Sequence, residues 1–189
     1  MALPPRRVAL VALLAARSAR RGSFTLASGR TSDFYVDCRL TTMSPDGLIL
    51  VGPLAYELLL TSGWQLDSVG GLTMGADPVS YAIAYASALR DTPLRCFSVR
   101  KEAKAHGMGK RIEGSFQTGD RVVVIEDSMT TGGSALNAAH AIRAEGGSVV
   151  GALTLVDREE GAREALAAAG IPLVAFTTAA ELKALIPGP

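Results

Sequence analysis

The sequence predicts an α/β fold, a parallel sheet flanked by helices, in one domain over residues 1–189. Three observations carry that expectation. Short β-branched runs alternate with Ala/Leu-rich stretches, the pattern of βαβ units. The central run Val122-Val123-Val124-Ile125 is apolar without alternation, as a strand covered on both faces must be. The chain has 189 residues, 48% of them hydrophobic, enough for one buried core, and no repeat, low-complexity tract or linker divides it.

The elements follow in order. A first helix covers about 6–20, with Pro4 and Pro5 near its start. Arg17, Arg20 and Arg21 give it a cationic C-terminal end, which suits the helix dipole. Arg6-Arg7 followed by apolar residues 8–16 also has the outline of a short signal peptide, but the helix is the preferred reading. A second helix begins at Ser44-Pro45-Asp46, an N-cap with proline in the first turn, and runs to about Ser62. A third covers about 77–89. A fourth follows Gly133 and stops before Gly146-Gly147, a natural C-cap. A fifth covers 160–169, and a short one lies near 179–185. Strands are expected at 68–70, 94–100, 121–126, 148–156 and 172–175. Phe34-Tyr35-Val36-Asp37 precedes the core and is assigned to a small accessory region.

Composition excludes several functions. Formal net charge is +1, from 19 basic and 18 acidic side chains, so nothing general draws the chain to nucleic acid or to acidic membranes. No apolar run is long enough to span a bilayer. Cys38 and Cys96 form no CxxC pair, and neither His106 nor His140 stands at zinc-ligand spacing from them. They read as reduced thiols of a cytoplasmic protein.

The segment that carries chemistry is 122–134. A buried strand ends in adjacent carboxylates, Glu126 and Asp127. The loop Ser128-Met129-Thr130-Thr131-Gly132-Gly133-Ser134 follows, and then a helix. In open α/β sheets ligands bind at the carboxyl ends of strands. Thr130, Thr131 and Ser134 offer hydroxyl donors. The glycines let backbone N–H groups approach an anion, and the helix N-terminus adds partial positive charge. Two carboxylates would repel the phosphate held there, so they must face another part of the ligand, and the diol of a ribose fits. Phosphate at one end and diol at the other describe a ribose 5-phosphate. The loop lacks the GKS/T ending of a P-loop and the chain has no GxGxxG, so ATPase and dinucleotide readings lose ground. The plain alternative is an acidic strand end feeding an ordinary N-capped helix, which explains less of the thirteen-residue pattern.

This segment resembles the phosphoribosyl-diphosphate signature of the type I phosphoribosyltransferases. The resemblance implies that Glu126 and Asp127 hold the ribose hydroxyls and that 128–134 bind the 5-phosphate. Three further segments resemble the orotate phosphoribosyltransferase family. In Phe24–Asp37 the match implies a hood, formed by about residues 1–40, in which the Phe34-Tyr35 backbone meets orotate. In Gly70–Pro78 it implies a diphosphate loop with Thr73 and Met74 in contact, where a tight βα turn is the plain reading. In 100–114 it implies a mobile lid whose Arg100, Lys101, Lys104 and His106 bind the diphosphate and are shared with a neighbouring subunit. A solvated charge run is the plain reading there. Arg158 stands where the family binds the orotate carboxylate, with an ion pair to Glu159 or Glu160 as the alternative, and Thr130 also falls in the orotate set.

The resemblance further implies transfer of the phosphoribosyl group to orotate, giving orotidine 5′-phosphate and diphosphate on the route to UMP. Lys104, His106 and Asp127 form the expected catalytic set. Mg2+ is expected to arrive with the diphosphate, without a protein-only metal cage. The expected partners are the two small-molecule substrates and a second copy of the chain in a homodimer, with no nucleic acid and no membrane. Some relatives carry lysine where Ala27 and Met74 stand, so two cations are missing on the diphosphate side. A transferase for another base, such as a purine, is one alternative. A non-catalytic regulator that binds phosphoribosyl diphosphate is the other; the intact lid favours the enzyme.

Overall fold

A computed structural model describes residues 5–25, 31–102 and 110–188. Lys104, His106 and Ala27 lie outside the described residues. Helix α1 (Pro5–Arg17) leads into strands β1 (Ala19–Thr25) and β2 (Thr31–Val36). Helices α2 (Arg39–Thr42) and α3 (Pro45–Thr61), strand β3 (Ser68–Leu72), helix α4 (Ala76–Ala88) and strands β4 (Arg95–Val99) and β5 (Ile112–Gly114) follow. Strand β6 (Arg121–Met129) then alternates with α5 (Gly133–Ala144), β7 (Ser148–Asp157), α6 (Ala162–Ala168), β8 (Leu173–Thr178) and α7 (Ala179–Leu185).

The expected sheet is present. Its order is β5-β4-β3-β6-β7-β8, parallel throughout except for β5, which runs antiparallel on the edge. From β3 the chain builds outward through β4. From β6, on the other side of β3, it builds outward through β7 and β8. The direction therefore reverses between β3 and β6, and the carboxyl ends of those strands open the crevice in which such sheets bind ligands. Register is set at the other end, where Arg121 Nε donates to Asp67 Oδ2 at 2.9 Å and Nη2 to Oδ1 at 2.9 Å, next to the Ser68–Val122 pair.

Residues 122–125 of β6 are fully buried. Val123 and Ile125 pack in the core shared with α1, α3 and α4, while Val122 and Val124 pack in the core beneath α5 and α6. Burial on both faces is thus what produces the unbroken apolar run. At α3, Ser44 Oγ accepts from Gly47 N at 3.1 Å with Pro45 in the first turn, the start its sequence encodes.

Several boundaries differ from the sequence expectation. The first helix stops at Arg17 rather than near residue 20, because Ala19 pairs with Val36 to open the β1–β2 hairpin. Arg20 and Arg21 are therefore strand residues. Arg20 still serves the helix end, donating from Nη1 to Ala16 O at 3.2 Å and to Ala19 O at 2.7 Å. Strand β6 continues past Glu126 to Met129, because β7 runs alongside and pairs with it through Met129–Asp157. The carboxylates lie within a strand rather than at its end. Strand β8 likewise runs to Thr178, and α6 is shorter than expected.

Candidate active site

At the crevice a cavity of about 550 Å3 is lined by Glu126, Asp127, Ser128 and Ser134 on one side. Thr73, Met74 and Gly75, the turn after β3, line it as well, with Tyr35, Asp37, Cys38, Arg39 and Lys101. The acidic strand, the glycine turn and the accessory region, far apart in sequence, thus meet at one site.

The two acids are held differently. The Ser134 hydroxyl and the Ala135 N–H, at the start of α5, favour the charged form of Glu126. Its Oε2 is buried with no hydrogen-bond partner. Burial, and next the charge of Asp127, push its pKa up to about 7. Asp127 Oδ1 accepts from the Ser128 N–H at 2.8 Å. Burial raises its pKa as well, opposed by that N–H and by the positive charge of Arg39. Arg39 is in turn fixed on Asp37, with Nε 2.8 Å from Oδ1 and Nη2 2.9 Å from Oδ2.

Thr130 and Thr131 are exposed on the turn from β6 into α5. Gly132 turns the chain there at φ 78°, a left-handed conformation that favours glycine, and Gly133 begins the helix. Met129 contributes only backbone: its side chain is fully buried, and its carbonyl accepts from the Arg158 N–H at 2.8 Å. The Thr73 hydroxyl donates to Asp77 Oδ2 at 2.6 Å, the Thr73–Met74 peptide is cis, and the Met74 side chain is exposed. Arg100 stands apart from the acid pair, with Nη1 3.7 Å from Glu113 Oε1 and its carbonyl accepting from Arg111.

Beside this cavity a smaller one, about 330 Å3, is lined by Phe34, Arg158, Glu160, Asp33 and Lys183, among others. Arg158 is 9% exposed. Its Nη2 donates to Phe34 O at 3.1 Å and lies 3.1 Å from Glu160 Oε1. Its guanidinium carbon sits 5.1 Å from the centre of the Phe34 ring, and its Nε is buried without a partner. The ion pair to Glu160 therefore coexists with a buried N–H that has no partner. Along β2 the Phe34 ring is core while Tyr35 faces the larger cavity, so neighbouring residues reach both spaces. Sequence reasoning missed Arg39, Asp33 and Lys183. Of these only Arg39 has a local signal, the Asp-Cys-Arg step that closes its ion pair.

The doubly wound sheet with an acid pair and a glycine turn at its switch point defines a phosphoribosyl-transfer class of domain. Residues 42–169 match the family model described as phosphoribosyl transferase domain. The chain is 47% identical over 179 residues to the orotate phosphoribosyltransferase of Rhodopseudomonas palustris (strain BisB18), covering 93% of this chain and 95% of that one. The crystal structure of Mycobacterium tuberculosis H37Rv orotate phosphoribosyltransferase in complex with Fe(III) dicitrate matches with TM-score 0.83 and 48% identity over 94% of this chain and 99% of that one. The same enzyme in complex with 5-phospho-alpha-D-ribosyl 1-diphosphate matches with TM-score 0.77 and 40% identity, covering 95% and 93%. The chain belongs to the phosphoribosyl transferase domain family and, within it, to the orotate phosphoribosyltransferases.

Proposed function

We infer that the protein transfers the phosphoribosyl group of 5-phosphoribosyl-1-diphosphate to N1 of orotate, releasing diphosphate and orotidine 5′-phosphate. The observation that carries this reading is the acid pair Glu126/Asp127 sharing one cavity with the Thr73–Gly75 turn and the start of α5. The ligand in the M. tuberculosis complex supports it.

The roles follow from chemistry. Glu126 Oε2 and Asp127 are acceptors awaiting donors, and the ribose hydroxyls supply them. Thr130, Thr131, the N–H groups of 131–134 and the dipole of α5 bind the 5-phosphate. The Thr73–Met74 backbone, Arg100 and Lys101 take the diphosphate, with Lys104 and His106 closing over it. Arg158, which lines the smaller cavity, pairs with the orotate carboxylate through its guanidinium, and the Phe34-Tyr35 backbone aligns the ring. As the C1–O bond breaks, its electron pair leaves with the diphosphate and positive charge builds on the ribose. Fixed cations around the leaving group lower that barrier. Orotate enters as an anion, so no strong general base is required.

Magnesium fits this cavity, because Glu126 Oε2 is a buried acceptor without a donor beside a second carboxylate. The ion would arrive with the diphosphate and be met by Glu126 and Asp127 through the ribose hydroxyls they hold, and it would supply neutralisation of charge on the diphosphate. A homodimer accords with α4, which leaves Tyr81 and Tyr85 exposed four residues apart, with exposed Leu89 at its C-cap. Among the described residues no helix is long and apolar enough to cross a membrane. The reaction belongs to UMP synthesis, and the cytoplasm is its proposed location. Orotate, phosphoribosyl diphosphate and magnesium should together give loss of orotate absorbance, with adenine inert in orotate's place. Bound phosphoribosyl diphosphate without orotate-dependent diphosphate release would establish a regulator instead.

A further inference from the structure

Among the described residues, two cations line the smaller cavity, and the proposed reaction assigns a role to Arg158 and none to Lys183. Lys183 is placed with equal care. Helix α7 is capped by Thr178, whose hydroxyl accepts from Glu181 N at 3.2 Å. Glu181 is gripped by Arg7 Nη1 and Nη2, each at 2.9 Å, and by the Thr177 hydroxyl at 2.6 Å. Leu182 is fully buried, and Arg21 Nη2 from β1 donates to the Lys183 carbonyl at 2.7 Å. A helix pinned in both turns fixes the direction of Lys183. Its Nζ lies 5.5 Å from the centre of the Phe34 ring, the ring that Arg158 also covers, and 2.8 Å from Asp33 Oδ1.

Charge decides what this arrangement does. Among the described residues, the charged groups lining the cavity are Arg158, Lys183, Asp33 and Glu160. Lys183 places a second positive charge at this cavity, which favours entry of a base bearing a carboxylate. The Asp33 side chain is 77% exposed, so water screens its hold on Lys183 and leaves the ammonium available to a ligand. Arg158 is already committed to Phe34 O and Glu160 through Nη2.

We propose that Lys183 is a specificity residue of the base cavity, the second cation that a carboxylate-bearing pyrimidine meets there. This rests on the reading that the cavity beside Arg158 receives the base of the proposed reaction.

The test is steady-state kinetics on the full-length protein with magnesium, varying orotate and phosphoribosyl diphosphate in turn. Lys183→Met should raise KM for orotate about tenfold, leaving KM for phosphoribosyl diphosphate and kcat within about twofold, and Lys183→Arg should restore it. Asp33→Asn separates charge from tethering. If the ammonium acts on the ligand, removing its counterion leaves KM for orotate unchanged or lower. If the pair only ties the hairpin to α7, Asp33→Asn and Lys183→Met raise KM alike, and the inference is overturned. An unchanged KM in Lys183→Met also overturns it. A wild-type protein that releases no diphosphate with orotate overturns the assigned reaction, and this inference with it.

Discussion

A methyl group on Gly75 would lie 2.6 Å from Asp127 Oδ1 and 3.0 Å from its carboxyl carbon. The turn after β3 and the acid of β6 are fitted to each other at the width of a missing side chain. Gly75→Ala must push the Asp127 carboxylate aside, which a side chain does at little cost to the fold. The expected result is an increase of about tenfold in KM for phosphoribosyl diphosphate with a melting temperature within a few degrees of wild type. Initial rates and a thermal melt read both.

Glu126 should trade stability for function. Its folded pKa, about 7, stands above the ordinary 4.5. The folded state thus holds the proton more tightly than the unfolded one. The stability gained is fully present below 4.5 and is lost as pH rises through 7. Glu126→Gln, which imitates the protonated acid, should stabilise the ligand-free protein by about 1–3 kcal/mol at pH 8 and little at pH 5. It should also weaken phosphoribosyl diphosphate binding. Thermal unfolding at the two pH values checks the first point, and an equal effect at both would rule out the burial argument.

Much of this was legible in the chain, and the reasons are local. The acid pair and its loop form one continuous segment, so their chemistry could be read without a fold. The hairpin was hidden because β1 is written with Arg20, Arg21 and Gly22, which extend a cationic helix end as naturally as they form a strand. Strand β5 spans only three residues. Lys183 carries no signal of its own, since Asp33 lies 150 residues away and only the packing of α7 unites them. The length of β6 depends on β7 beside it, a partner that its own residues do not name.

Arg158→Lys keeps the charge and loses the fork. Lysine cannot serve Phe34 O, Glu160 and a ligand carboxylate together, so KM for orotate should rise tenfold or more while that for phosphoribosyl diphosphate holds, a loss of about 1.4 kcal/mol at least. Equal losses for both substrates would mean that Arg158 supports the fold rather than the base.

Lys104→Ala should cut kcat by about a hundredfold or more without changing the melting temperature. If the lid serves the neighbouring subunit, mixing inactive Lys104→Ala with inactive Asp127→Asn should recover about a quarter of wild-type activity. Half of the dimers would then be mixed, each with one intact site. No recovery after subunit exchange would place the lid over its own site.

The β1–β2 hairpin is a sheet of two strands and nothing more, an arrangement barely stable alone in water. Its order is borrowed through Arg158 to Phe34 O, Lys183 to Asp33 and Arg21 to the Lys183 carbonyl. Amide protons of β2 should therefore exchange with solvent through small openings, long before the parallel sheet gives way. A base settling between those same cations would slow that exchange, so the roof over the pocket and its occupant would stiffen together.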